Sequence, residues 1–273
     1  MNKIKLLSFF YILFLALLSL SGSLSGILSE IVYILSFALP TVLGLYIVKR
    51  EDRENDDLLL SLDKRSFGLL IPTAAPIVSM IIITSGLTSF IIYQIFGAES
   101  SVDLGDNLIL AMITHAFIPA ILEEMLFRYL PLRLYGGENN ATMVVVSSLF
   151  FALVHRDFFV IPYAFLAGAL FIIIDIILDS IWPSVILHAV NNALSVLAIF
   201  YSNEPRFNYT FYAVLIVLTI ISLAVIIAKR AKYISEIKKA FSGERVKLTS
   251  EILYLAVPTL ILAALDLAAK MQE

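Results

Sequence analysis

No cysteine occurs in the 273 residues of the chain. That excludes disulfides, thiol nucleophiles and thiolate metal sites, while nothing firm follows about compartment. Charge is scarce as well: 15% of the residues are Asp, Glu, Lys or Arg, against roughly 25% in a soluble domain, and 60% are hydrophobic. The cations present leave no nucleic-acid footprint, so nucleic acid is not an expected partner. The apolar stretches are continuous rather than alternating, which removes a membrane β-barrel. Internal repeats and low-complexity segments are also missing.

What remains is a succession of apolar runs near the length needed to cross a bilayer. Expected spans are 4–20, 27–48, one within 68–96, 107–135, 141–155, 158–178, 181–200 and 210–228. A last run, 252–269, is either a ninth span or an interfacial helix. The predicted class is all-α: a polytopic transmembrane bundle of eight spans plus a possible ninth helix, in a single integral membrane domain with membrane lipids around it. The functional core is expected at about 107–200. A cationic start and an apolar first run also describe a signal peptide. A retained first span is preferred, because another long run follows without a clear cleavage site.

Orientation is read from Lys and Arg alone. With the N-terminus in the cytoplasm, the inner segments hold Lys3, Lys5, Lys49, Arg50, Arg53, Lys64, Arg65, Arg133 and the seven cations of 229–247. The outer segments hold only Arg156 and Arg206. Residues 229–247 are expected to be an ordinary positive inside loop, with contact to anionic lipid as the alternative.

Three polar pieces interrupt the apolar runs. Glu123-Glu124 and Arg128 lie on one expected helix, Phe151 and His155 on the next, and His188 and Asn192 two helices on. Ionisable side chains at membrane depth are costly and face a cavity or a partner. Glu124 and Arg128 are four residues apart and close enough to pair, which leaves Glu123 as the uncompensated carboxylate. Glu123 and His155 each lie sixteen residues from Asn139 at the tip of the intervening turn, roughly 24 Å along each helix, so a hairpin sets them level. His188 is only about 12 Å from the turn at Asp179-Ser180. The depths agree if the first turn projects beyond the second. Pro119 is expected to bend the Glu-Glu helix and open space for water. His115 is read as a packed or interfacial histidine, Asn191 as facing away from the site, and Asp175 and Asp179 as a solvated helix end.

Enclosing a carboxylate in an apolar cavity favours proton uptake, which a general base requires. A nearby His can share a water with it, and a second His with an Asn can donate to a developing oxyanion. The same Glu and two His side chains are also a zinc-ligand set with room for a bound water. Both readings stay open at this point, as does a proton relay through the intramembrane Glu and His.

Glu123-Glu124 with Arg128, Phe151 with His155, and His188 with Asn192, in this order on successive spans, resemble the CAAX protease and bacteriocin-processing family of intramembrane endopeptidases. That family includes the Ras-converting CAAX endopeptidases and proteins labelled abortive-infection. Phe127 before Arg128, and Trp182-Pro183-Ser184 leading into Ile186-Leu187-His188, agree with it, and the likeness covers about residues 107–195.

The resemblance implies a glutamate-type protease without a cofactor, zinc being the less favoured alternative. In it Glu123 and His155 activate water, His188 and Asn192 form the oxyanion hole, and Glu124 and Arg128 support the site or bind substrate. The implied partner is a peptide or a lipidated protein; a non-catalytic immunity or scaffold protein of the same fold is the competing class. Tyr129 stands where many members carry Gly, and is expected to narrow the cavity. Arg156 after His155 is a second departure. The observation that bears most on this reading is a wet cavity reaching Glu123, His155, His188 and Asn192 from the cytoplasmic side.

Overall fold

The computed structural model describes residues 3–49, 64–97, 104–135 and 139–242, with 261, 264, 268 and 271 in addition. The run 252–269, expected as a span or interfacial helix, falls almost wholly outside the described residues. Among the described residues nine helices follow one another: α1 (Lys3–Gly22), α2 (Gly26–Lys49), α3 (Lys64–Phe96), α4 (108–135), α5 (Asn140–Leu153), α6 (Ile161–Leu178), α7 (Trp182–Phe200), α8 (Pro205–Ala228) and α9 (Arg230–Phe241). Six of them include stretches long and apolar enough to cross a membrane, and α1 and α5 contribute shorter apolar segments. This is the expected polytopic helical bundle.

The first helix is built into the core. Leu7, Phe10, Tyr11 and Phe14 are buried with Leu126, Phe127 and Leu130 of α4. Tyr11 stacks on Phe127 at 5.2 Å and Phe14 meets the same ring edge-on at 5.6 Å. Helices α5 and α6 approach closely at Gly168, where an added Cβ would sit 3.1 Å from the Ser148 backbone. Across the bundle the Ser79 and Thr219 hydroxyls share a hydrogen bond of 2.6 Å between α3 and α8.

The two ends of the bundle differ in charge. One gathers the start of α1, the end of α2, the start of α3, the end of α4 and α9, and carries nearly all the Lys and Arg. The segment 229–247, expected as a loop, contains the helix α9. It is tied to the start of α5 by the Asn140 side-chain amide, which donates to the Ala240 carbonyl at 2.8 Å.

The offset between the two turns is also resolved. Ser180 and Ile181 are buried, and Ile181 packs with Tyr129, Leu132, Met143 and Ile172. The α6–α7 turn is thus sunk against the last turns of α4 and the first of α5, and the α4–α5 hairpin extends past it.

Helix α5 is short, close to the 141–155 expected for it, and ends two residues earlier. Its fourteen residues reach roughly 21 Å, against about 30 Å of bilayer hydrocarbon. The Phe151 carbonyl, which would accept from the backbone N–H of residue 155, is taken by the His155 ring at Nδ1 (2.7 Å), while the His155 N–H turns to Ala152. The helix is capped there, and the backbone leaves it with Arg156 at φ 53°. The α5–α6 connection consequently dips toward the middle of the bundle. Irregular backbone at such depth is tolerated where it lines a cavity.

Candidate active site

Helix α4 is a continuous helix with two π-helical turns, Met112–Phe117 and Met125–Tyr129, on either side of the Glu-Glu pair. Their cause is readable in the chain. Pro119 and Pro131 each lie two residues beyond a π turn. Proline lacks an N–H and its ring crowds the carbonyl four residues back, so the preceding turn widens. The carbonyl that Pro131 leaves unpaired belongs to Phe127, and the Ser147 hydroxyl of α5 donates to it. Pro119 was the expected bend; the second π turn was not foreseen.

Glu123 and Glu124 face different surroundings. Glu123 is partly exposed, 15% of its side chain, and lines a cavity of about 1340 Å³. Glu124 is fully enclosed. Its Oε1 accepts from His188 Nδ1–H at 2.8 Å and its Oε2 lies 3.3 Å from Arg128 Nε. The other imidazole nitrogen of His188, Nε2, is 3.8 Å from Glu123 Oε2. His188 therefore sits between the two carboxylates. Arg128 is also fully buried, and its guanidinium lies over the Phe151 ring, 4.3 Å from the centroid. The same ring meets His155 at 5.1 Å and His188 at 5.7 Å, both edge-on. Phe151 is the packing centre that the histidines and the arginine share.

His155 lies just past the end of α5. Its Nδ1–H donates to a carbonyl, so in the neutral ring Nε2 is the nitrogen that can accept a proton or a hydrogen bond. Glu123, His155, His188 and Asn192 all line the one cavity. Asn191, expected to face away, lines it too. It is buried, and its amide donates to Asn192 Oδ1 at 3.3 Å. That bond occupies the Asn192 acceptor and leaves its NH₂ donors for another partner. The 100° between successive helical positions does not separate Asn191 from the site, because the cavity wraps around this part of α7. His115 is an exposed residue on the cavity wall.

Two other expectations change. Asp179 is exposed, as a solvated helix end requires, but Asp175 is fully buried. Asp175 Oδ1 accepts the Ser184 backbone N–H at 3.1 Å, and Glu124 and Arg128 are both within electrostatic reach. Its placement one turn inside the helix end, four residues before Asp179, was the available signal. Tyr129 packs in the apolar group around Ile181 and does not line the cavity, so it does not narrow it. Glu124 and Arg128 are not on the cavity wall either. Among the described residues no three His, Asp or Glu side chains converge as a metal-binding set.

Residues 105–194 match the model of the Rce1-like family, described as type II CAAX prenyl endopeptidase Rce1-like. The matched stretch is about a third of the chain and runs from the start of α4 into α7, so it contains every residue of the site described above. The match agrees with the likeness of the three motifs to the CAAX protease family of membrane endopeptidases. Comparison with curated proteins and with solved structures finds no match.

Proposed function

We propose that the protein is an intramembrane endopeptidase that hydrolyses a peptide bond with a water activated by Glu123 and His155, within a catalytic core at about 107–200. The observation that carries this is the convergence of Glu123, His155, His188 and Asn192 on one cavity, with Glu124 and Arg128 sealed behind them. A water held by the Glu123 carboxylate and His155 Nε2 gives its proton to Glu123 as its oxygen attacks the scissile carbonyl. The new oxyanion accepts from the Asn192 NH₂ and from His188 Nε2–H. Donation from that nitrogen requires the imidazolium form, for which Glu123 and Glu124 supply countercharge. Glu123 then returns its proton to the departing amine. Breaking the C–N bond leaves one carboxylic acid and one amine, with the water consumed.

Glu124 and Arg128 act by holding the His188 ring rather than by touching substrate. Asn191 does the same for Asn192. A volume of about 1340 Å³ exceeds the roughly 300–1,000 Å³ of a small-molecule pocket and suits a polypeptide segment.

The test uses the full chain reconstituted in lipid vesicles and a panel of fluorogenic peptides with and without a prenylated carboxyl-terminal cysteine. Cleavage of at least one class is expected, and it is expected to survive a strong chelator on protein whose metal content is measured. Cleavage lost on chelation and restored by zinc would move the chemistry to the metal alternative. No cleavage of any class, with unchanged biological activity in Glu123→Gln, would favour the scaffold class.

A further inference from the structure

The cavity belongs to one end of the bundle. Its wall is made by the first turn of α2 (Ser29), the last turns of α3 (Ser89), the first half of α4 (Thr114), the α5–α6 connection (Asp157), the last turn of α7 (Ile199) and the first turns of α8 (Tyr212). Every one of these lies at the end opposite the cation-rich one. Toward the cation-rich end the site is closed. Glu124 and Arg128 are fully enclosed, Leu126, Phe127 and Leu130 beneath them have no exposed surface, Ser180 and Ile181 are buried, and α9 is tied to the start of α5 beyond. The short α5 opens the other end, because its connection to α6 stops short of the bilayer surface.

Charge orients the bundle. Among the described residues, the segments at the cavity end contain Arg156 and Arg206 as their only cations, against Asp106, Asp157 and Glu204. Among the described residues no Lys or Arg lines the cavity. The cation-rich end holds Lys49, Lys64, Arg65, Arg133 and the five cations of 229–239. Cation-rich segments stay in the cytoplasm.

We infer that the cavity opens to the extracytoplasmic side of the membrane, and that its substrate is a polypeptide segment reaching the site from that side. The substrate half of this inference rests on the endopeptidase reading; the direction of access does not. A cytoplasmic opening, the direction sought from the sequence, and a cytoplasmic N-terminus are incompatible in this fold, since the first helix starts at the closed end. A prenylated carboxyl terminus delivered from the cytosol would meet the sealed end.

The absence of native cysteine makes the test direct. Single-cysteine variants Ser89→Cys and Ser195→Cys report the cavity from two helices, and Lys238→Cys reports the cation-rich end. In intact cells or right-side-out spheroplasts, a membrane-impermeant maleimide is expected to label both cavity variants. Lys238→Cys is expected to react only after permeabilisation. The reverse pattern, or cavity variants that react only after permeabilisation, overturns the inference. Labelling needs no catalysis, so it separates a failed topology from a failed protease. In vesicles of the same orientation, peptide added outside is expected to be cleaved and peptide enclosed inside to be spared. Labelling from outside without cleavage of any peptide removes the substrate half and leaves the direction of access standing.

Discussion

Adjacent in sequence, the carboxylates of residues 123 and 124 end in unlike places: one on the cavity wall, one enclosed between His188 and Arg128. Their i and i+4 relation to other residues predicted the Glu124–Arg128 pair and the free Glu123. What spacing could not show is that His188 completes the arrangement from a helix 64 positions away. A buried charge left without its partner costs about 3–5 kcal/mol. Arg128→Met is therefore expected to lower unfolding stability by about that amount, measured by thermal or denaturant unfolding in detergent, and to lower activity through a displaced His188. For Asn192→Ala the expected loss is about 10²–10³ in kcat, the scale of one oxyanion donor, with KM nearly unchanged and stability preserved. Steady-state kinetics on a cleaved peptide separates the two cases. Asn191 escaped the sequence reading because a helical wheel assumes a flat face, whereas the cavity curves around α7.

The order of the eight apolar helices, α1 to α8, follows from apolar run lengths, and the structure agrees with them to within a few residues at most ends; α9 lies in a charged segment that was expected to be a loop. The departures have local causes. Helix α5 ends early because the His155 ring caps Phe151, a side-chain event invisible to an apolar run that continues through Val154. The two π turns of α4 follow from prolines; Pro119 was legible as a bend, while Pro131 needed the partner carbonyl at Phe127 and the hydroxyl at Ser147 to be seen. In Ser147→Ala the Phe127 carbonyl loses that donor in a buried site, and a destabilisation of about 1–3 kcal/mol is expected. The same change shifts the 125–129 turn that carries Arg128. Activity is therefore expected to fall as well, by up to about 10² if the site moves by an ångström. Unfolding curves and peptide kinetics on one preparation read both. A Ser147→Thr variant, which keeps a hydroxyl, is expected to recover part of the loss.

At the scale of the molecule, composition alone indicated a membrane bundle, and the family match to 105–194 covers the third of the chain where polar residues interrupt the spans. Charge asymmetry was equally plain in the sequence. Its consequence was not, because the end at which the cavity opens depends on a helix being short, on a buried turn at Ser180, and on which helix halves carry the lining residues. The bundle is thus a sealed half and an open half. The sealed half holds Glu124, Arg128 and Asp175 out of water; the open half presents Glu123, His155 and Asn192 to it. The most direct measurement is single-turnover peptide cleavage by wild type and Glu123→Gln, reconstituted side by side, with folding checked by thermal unfolding. A loss of about 10²–10⁴ in rate, the usual worth of a general base, is expected with the unfolding midpoint retained. Cleavage by folded Glu123→Gln at the wild-type rate would contradict a water-activating role for this carboxylate.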